Sequence, residues 1–127
     1  ENISNGDMVE YFYTIEDSAK NKIVTEPNII LIDKIFPILN NQKYFWKIGS
    51  GRNNKFVYFS LNITEVNFDY VEYNDENESG TWNILCNKLS NGLCNSRKFF
   101  KNGEHSLKIR IADKASNFIE ENISFKI

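Results

Sequence analysis

The feature that most constrains the fold is an alternation of apolar and polar residues with a period of two. It runs through residues 57–63, 107–111 and 123–127. Successive side chains of a β-strand point to opposite faces, so this period is typical of strands that bury one face in a core. No segment keeps a helical period, and Asn-Gly and Gly-Ser-Gly turn signals separate the alternating segments. The residues predicted to be buried are Val57, Phe59, Leu61, Ile63, Leu107, Ile109 and Ile111.

The alternation predicts an all-β protein built as an antiparallel β-sandwich. From residue 33 onward there are about seven strand candidates with turns between them, which suits a sandwich better than a barrel. Hydrophobic residues make up 41% of the 127 residues and aromatic residues 14%, enough for a packed core. Alanine occurs only three times, which disfavours long helices.

Charge and hydropathy exclude two classes of partner. The formal net charge is −2 and the pI is near 5.5. Nucleic-acid binding needs a concentrated basic face, so we do not expect a nucleic-acid partner. No apolar run is long enough to span a bilayer, and the first residues lack a basic-then-apolar signal sequence. We therefore expect no direct membrane insertion.

A hairpin pattern near the N-terminus is repeated near the C-terminus. Residues 5–23 and 102–119 both contain Asn-Gly, then apolar residues six, four and two positions before an Asp, then Ile six positions after it. The two aspartates, Asp17 and Asp113, are 96 positions apart (113 − 17), about the length of one immunoglobulin-like domain. Two unrelated hairpins with Asp-rich turns would also look alike.

The repeat predicts two segments. Residues 1–32 are interpreted as the closing hairpin of a preceding repeat or as a strand-donating segment, and residues 33–127 as a complete sandwich. Pro37 suits a join because proline cannot donate to a strand ladder. A lone hairpin is marginal in water, so its apolar side chains need a covering sheet. These side chains are Tyr11, Tyr13, Ile15, Ile23 and Ile29.

Residues 103–117 resemble the final hairpin of immunoglobulin-like repeats in bacterial and archaeal surface proteins and adhesins. Those repeats read Gly-x-His-x-Leu, alternating apolar residues, then Asp-x-Ala-Gly-Asn. Ser116 stands where the family usually has Gly, and Lys20 does so in the first copy. Residues 59–68 are also similar to the first core strand of such repeats. The resemblance implies an immunoglobulin-like β-sandwich over residues 33–127 and an extracellular, cell-surface location.

The two cysteines, Cys86 and Cys94, flank a predicted loop that contains Asn91-Gly92. In an oxidising compartment they would form a disulfide. On the chain-entropy model, closing so short a loop stabilises the fold by about 2–3 kcal/mol. The alternatives are two buried free thiols or metal ligands. Zinc needs four ligands, and the one histidine, His105, stands alone.

Four Asn-x-Ser/Thr sequons make the chain a candidate glycoprotein. Their asparagines are Asn2, Asn62, Asn77 and Asn122. Asn62 and Asn122 fall on the polar faces of predicted strands, where a glycan has room. An asparagine-rich chain also acquires such tripeptides by chance.

The resemblance makes calcium a candidate ligand, because related tandem repeats sometimes bind it near domain joints. The oxygen-bearing candidates are Asp33, Glu65, Asp113 and Asn117. We prefer the alternative that Asp113 and Asn117 hydrogen-bond within their own turn. No cofactor is expected.

No catalytic constellation is found, so we do not expect an enzyme. A Ser–His–Asp site would have to use His105, which follows a turn before a structural strand. Three functions stay open: a structural module of a surface protein or an extracellular filament such as a pilus, assembling with copies of itself or adjacent repeats; an adhesin module for a cell-surface ligand; and a carbohydrate-binding domain. Trp46 and Trp82 would suit the third as an exposed platform, but their apolar neighbours predict core positions.

Overall fold

The computed structural model of the protein describes residues 2–127 and divides into two compact units, Glu1–Ile35 and Phe36–Ile127. This division lies a few residues beyond the join predicted after residue 32. The described residues are almost entirely strands and turns, and their one helical element is a short 3-10 turn at Gly51–Asn53. None of them belongs to a helix with the length and apolar composition needed to cross a bilayer.

The first unit is a hairpin made of four short strands. They are β1 (Met8–Tyr11), β2 (Thr14–Glu16), β3 (Lys22–Val24) and β4 (Asn28–Leu31). β2 pairs with β3 through the register Ile15↔Ile23, and β1 pairs with β4 through Tyr11↔Asn28. The register shifts by one residue between these two halves. The shift falls in the segment that contains Pro27, whose nitrogen cannot donate to a ladder.

The second unit consists of two antiparallel four-stranded sheets. In the first sheet β7 pairs with β10 along one edge and with β5 and β6 along the other. The order in the second sheet is β12-β11-β8-β9. The strands are β5 (Ile38–Leu39), β6 (Trp46–Ile48), β7 (Phe56–Thr64), β8 (Phe68–Asp75), β9 (Trp82–Cys86), β10 (Leu93–Phe99), β11 (Glu104–Asp113) and β12 (Phe118–Lys126). The predicted all-β sandwich is confirmed.

The core of the second unit is filled by the alternating residues of its long strands. All seven side chains predicted to be buried are at most 3% exposed. They form one cluster with side chains from both sheets, such as Phe45, Val71 and Phe125. Burying an aliphatic or aromatic side chain of this size contributes roughly 1.5–3 kcal/mol, so this cluster is the main source of stability.

The predicted disulfide is present. Cys86 ends β9 and Cys94 lies in β10, with their Cα atoms 6.0 Å apart. Because β9 and β10 belong to different sheets, the bond links the two sheets where the chain crosses from one to the other.

Candidate functional site: the N-terminal hairpin

Apolar side chains on the hairpin of the first unit are exposed. Tyr13, Ile15 and Ile23 are 64%, 58% and 64% exposed. Their counterparts in the second unit are Ile109 and Ile111, which are buried, and Ile119, which is partly buried against the core. The other exposed apolar residues of the strands and their links are Met8, Tyr11, Phe12, Val24, Ile29, Ile30 and Leu31. So much exposed apolar surface on so small an element is typical of an interaction site.

The pairing of β1 with β4 and of β2 with β3 places these side chains on two faces of the hairpin. Val9 pairs with Ile30 on one face, and Tyr11 is two residues further along that face. The rings of Tyr11 and Tyr13 lie 6.1 Å apart, which continues the face toward Ile15. The opposite face carries Met8 opposite Leu31, Ile29 opposite Glu10, and Val24 opposite Thr14. Both faces of the hairpin are therefore apolar.

Ile29 is the one predicted apolar position that changes face. The sequence pattern groups it with Tyr11 and Tyr13, but it lies on the face opposite to theirs because the register shifts near Pro27. The corresponding outward face of β11 and β12 is polar, with Lys108 and Arg110 on β11. The first hairpin thus has more apolar surface than a hairpin needs when it covers a single core.

The turn of this hairpin has the same hydrogen bonds as the turn between β11 and β12. Asp17 accepts from the backbone and side-chain nitrogens of Asn21, both at 2.9 Å. Asp113 accepts from the same two nitrogens of Asn117, at 2.9 and 2.8 Å. The hydrogen bonds from the Asn21 side chain and backbone hold the pKa of Asp17 below its ordinary value. The repeat found in the sequence is therefore a repeat in local structure.

The backbone repeats too. Lys20 and Ser116, one residue before each asparagine, adopt φ values of 69° and 68°. This left-handed conformation favours glycine. The immunoglobulin-like repeats that residues 103–117 resemble usually have glycine at this position. Lys20 and Ser116 adopt this conformation although they have side chains. We infer that the Asp–Asn hydrogen bonds stabilise the turn.

The calcium candidates are placed as follows. Asp113 Oδ1 accepts from the backbone of Ala115 and Asn117, which supports the preferred interpretation of a self-contained turn. Carboxylate oxygens of Glu65 and Asp113 lie within 4.8 Å of each other, and Glu65 Oε1 accepts from the backbone of Asn67 at 2.7 Å. In the first unit, Asp33 accepts from the backbone of Ile35 at 2.9 Å. Calcium binding stays a prediction.

His105 is part of a buried pair that sequence reasoning missed. Its Nδ1 lies 2.5 Å from Asp75 Oδ2 and its Nε2 lies 2.8 Å from the carbonyl oxygen of Lys101. Both partners are acceptors, so both ring nitrogens donate. Burial alone lowers the pKa of His105, but the hydrogen bonds to Asp75 and Lys101 and the charges of Asp75 and Glu78 outweigh it, and the pKa is raised.

This pair has the contacts of a structural element. The other oxygen of Asp75 accepts from the backbone of Asn77 at 3.1 Å and of Ser106 at 3.3 Å. The rings of Phe100 and Phe125 lie about 5 Å from the imidazole. Although Glu78 is close enough to complete a possible metal-ligand set, the imidazole and the Asp75 carboxylate are engaged with protein partners.

The asparagines of the three sequons in the second unit are exposed, as is Asn2 in the first. The outward phase predicted for Asn62 and Asn122 is confirmed by their exposure on β7 and β12. The side-chain nitrogen of Asn77 instead donates to the carbonyl of Glu104 at 3.1 Å. A glycan at Asn77 would compete with that hydrogen bond, so Asn62 and Asn122 are the more accessible candidates; occupancy stays a prediction.

The two tryptophans differ. Trp46 is half-buried and packs against the core, as predicted. The core position predicted for Trp82 is wrong: it lies on the outer face of β9 beneath the guanidinium of Arg110, 4.1 Å from the ring centre. Two ion pairs hold Arg110 in this position: its Nη1 lies 3.2 Å from Glu72 Oε1, and its Nη2 lies 2.9 Å from Glu120 Oε1. One face of this indole is therefore covered, which does not favour a stacked-sugar platform.

Comparison with known proteins identifies no relative. No protein-family model, no curated protein and no solved structure matches the chain. The function is therefore argued from the geometry of the hairpin, the strand order and the disulfide.

Proposed function

We propose that this protein is an extracellular structural module of immunoglobulin-like type that assembles head-to-tail with copies of itself or with adjacent repeats. One observation carries the proposal. The hairpin of the first unit has the turn of the closing hairpin of the second unit, but its apolar side chains are exposed. A lone hairpin of this kind is at best marginally stable in water, so a covering sheet would stabilise it.

The strand order supports an immunoglobulin-like topology. With β7 as strand B, the strands β8, β9, β10, β11 and β12 take the places of C, C′, E, F and G, and β5 and β6 together take that of A. Strands G, F and C are then neighbours in one sheet while A, B and E share the other, as in immunoglobulin-like sandwiches. The disulfide joins C′ to E instead of B to F.

Two routes could cover the hairpin. Strands that precede it in the same polypeptide would make it the end of an earlier repeat in a tandem array. Alternatively, a second copy would accept it by strand complementation. In a complete copy β8 already pairs with β11, so an accepting domain must lack its own closing hairpin. We therefore favour the tandem array, and either route is head-to-tail and builds a stalk or filament.

The disulfide supports the proposed extracellular location. Disulfides persist in oxidising compartments such as the cell surface, and a bond between the sheets stabilises a small domain there. The exposed sequons at Asn62 and Asn122 are compatible with a surface glycoprotein. Together with the resemblance of residues 103–117, these features support the proposal of a module in a bacterial or archaeal surface protein or pilus-like filament.

Sedimentation velocity of the native material, followed by denaturing electrophoresis, tests the proposed assembly. We expect a native species much larger than the 14.9 kDa of the 127-residue chain. Under denaturing conditions, a very large band supports the tandem array, and a band near 14.9 kDa supports strand complementation. A native species that sediments as a monomer of 14.9 kDa would count against the proposal.

A further inference from the structure

The two closing hairpins differ in how their first strands are paired. In the second unit β11 lies between β12 and β8, with Ile109 opposite Tyr73 and Ile111 opposite Val71. In the first unit, over residues 2–35, the corresponding strands β1 and β2 pair only with β4 and β3. One edge of β1 and β2 thus offers backbone N–H and C=O groups for a further strand.

We propose that this edge receives a strand like β8 from a preceding immunoglobulin-like repeat, in the register that β8 has against β11. This proposal rests on the proposed function and names the partner of the same hairpin. In that register, the residue equivalent to Tyr73 lies opposite Tyr13 and the residue equivalent to Val71 lies opposite Ile15. The occupant is a β-strand, and its recognition is by main-chain hydrogen bonds and alternate apolar side chains.

The register follows from the matched turns. Counting back two and four residues from Asp17 gives Ile15 and Tyr13, and the same count from Asp113 gives Ile111 and Ile109. The ring contact between Tyr11 and Tyr13 shows that these side chains share a face through the break between β1 and β2. The alternation that faces the core in β11 is therefore kept in the first hairpin.

The same alignment predicts the charge of one residue on the strand that would pair with β1 and β2. His105, eight residues before Asp113, corresponds to Val9, eight residues before Asp17. Asp75 is buried beside the imidazole of His105. Val9 has no donor that could take the place of the imidazole, so the second oxygen of a carboxylate at that position would be buried without its balancing charge, which is destabilising. The covering strand therefore carries an uncharged residue at the position that Asp75 has in β8.

A fused chain tests the register. Residues 36–99 placed directly before the full 127-residue chain supply complete copies of β5 to β10, with three more residues before the hairpin than separate β10 from β11 in the second unit. Two versions are compared, one with Asp75 retained in the added segment and one with Asp75→Asn there. Hydrogen exchange of residues 8–31 is measured by mass spectrometry in both, and in the unfused chain.

We expect exchange of residues 8–31 to slow by about tenfold or more in the Asp75→Asn version, and by less when Asp75 is retained. Ile15→Lys in the fused chain should restore fast exchange, whereas Tyr44→Lys in the original second unit, where Tyr44 is 84% exposed, should not. The proposal is overturned if residues 8–31 exchange equally fast in all three chains, or if the version that retains Asp75 is the better protected. Failure of the proposed function would be distinct, because it concerns the size of the assembly in the native material.

Discussion

Replacing Asp75 with Asn removes one charge from a buried pair without changing the size of the side chain. His105 and Asp75 are 4% and 6% exposed, and the imidazole donates to Asp75 and to the carbonyl of Lys101. At a pH below its raised pKa, the imidazole donates from both nitrogens and carries a positive charge. The Asp75 carboxylate is the group that balances this charge.

The expected cost can be worked out from these contacts. In Asp75→Asn, the amide oxygen stays with the backbone donors of Asn77 and Ser106, and the NH₂ group turns toward the imidazole. Two donors then face each other unless the imidazole gives up its Nδ1 proton. A hydrogen bond to a charged group contributes about 1.5–3 kcal/mol, so we expect a loss of about 2 kcal/mol where His105 is normally charged.

The loss of unfolding free energy in Asp75→Asn should be larger at low pH than at high pH. The hydrogen bonds and neighbouring charges raise the folded-state pKa of His105 above the ordinary value of 6.5. The folded protein therefore binds this proton more tightly than the unfolded chain does. The stabilisation is fully present below pH 6.5 and is lost as the pH rises through the raised pKa. The difference between the wild-type protein and Asp75→Asn should shrink over that range.

Urea unfolding at about pH 5.5 and about pH 9, followed by tryptophan fluorescence, measures this difference. Glu104→Gln, which neutralises an exposed carboxylate on β11, is the matched control and should leave the pH profile unchanged. A difference of equal size at both pH values would refute the reasoning. So would an NMR titration that places the pKa of His105 at or below 6.5 in the wild-type protein.

Three further predictions concern the disulfide, the turn and the sequons. Reduction should add the mass of two hydrogen atoms, and Cys86→Ala with Cys94→Ala should lower the free energy of unfolding by about 2–3 kcal/mol; free thiols in unreduced native protein would contradict this. Ser116→Gly should raise that free energy by about 0.5–1 kcal/mol in urea titrations, because Ser116 has a φ of 68°; a loss of stability would contradict it. Intact-mass measurement of native protein should find hexose at Asn62 or Asn122, and a mass equal to the bare polypeptide would exclude glycosylation.

The long strands were predictable because their residues alternate over enough length to define a period. Residues 57–63 and 107–111 are such segments, and their buried faces agree with the pattern. β5, with two residues, and β6, with three, are too short to show any period. The turn shared by Asp17 and Asp113 was visible because its determinants lie within five consecutive residues.

Features that depend on register or on distant residues could not be predicted. Asp75 and His105 are 30 positions apart, and no local pattern links them. Trp82 is followed closely by the apolar residues Ile84 and Leu85, but its pairing with Asn74 places it on the outer face of the sheet. The face of Ile29 depends on a one-residue shift near Pro27, which reverses the direction of each later side chain.

Hydrogen exchange of residues 8–31 in the native material, compared with the isolated 127-residue chain at low concentration, tests the central claim most directly. If the hairpin closes an immunoglobulin-like sandwich in a head-to-tail assembly, its backbone amides should be protected in the native material and should exchange rapidly in the isolated chain. Rapid exchange of residues 8–31 in both samples, with the sandwich of residues 36–127 protected in each, would contradict it.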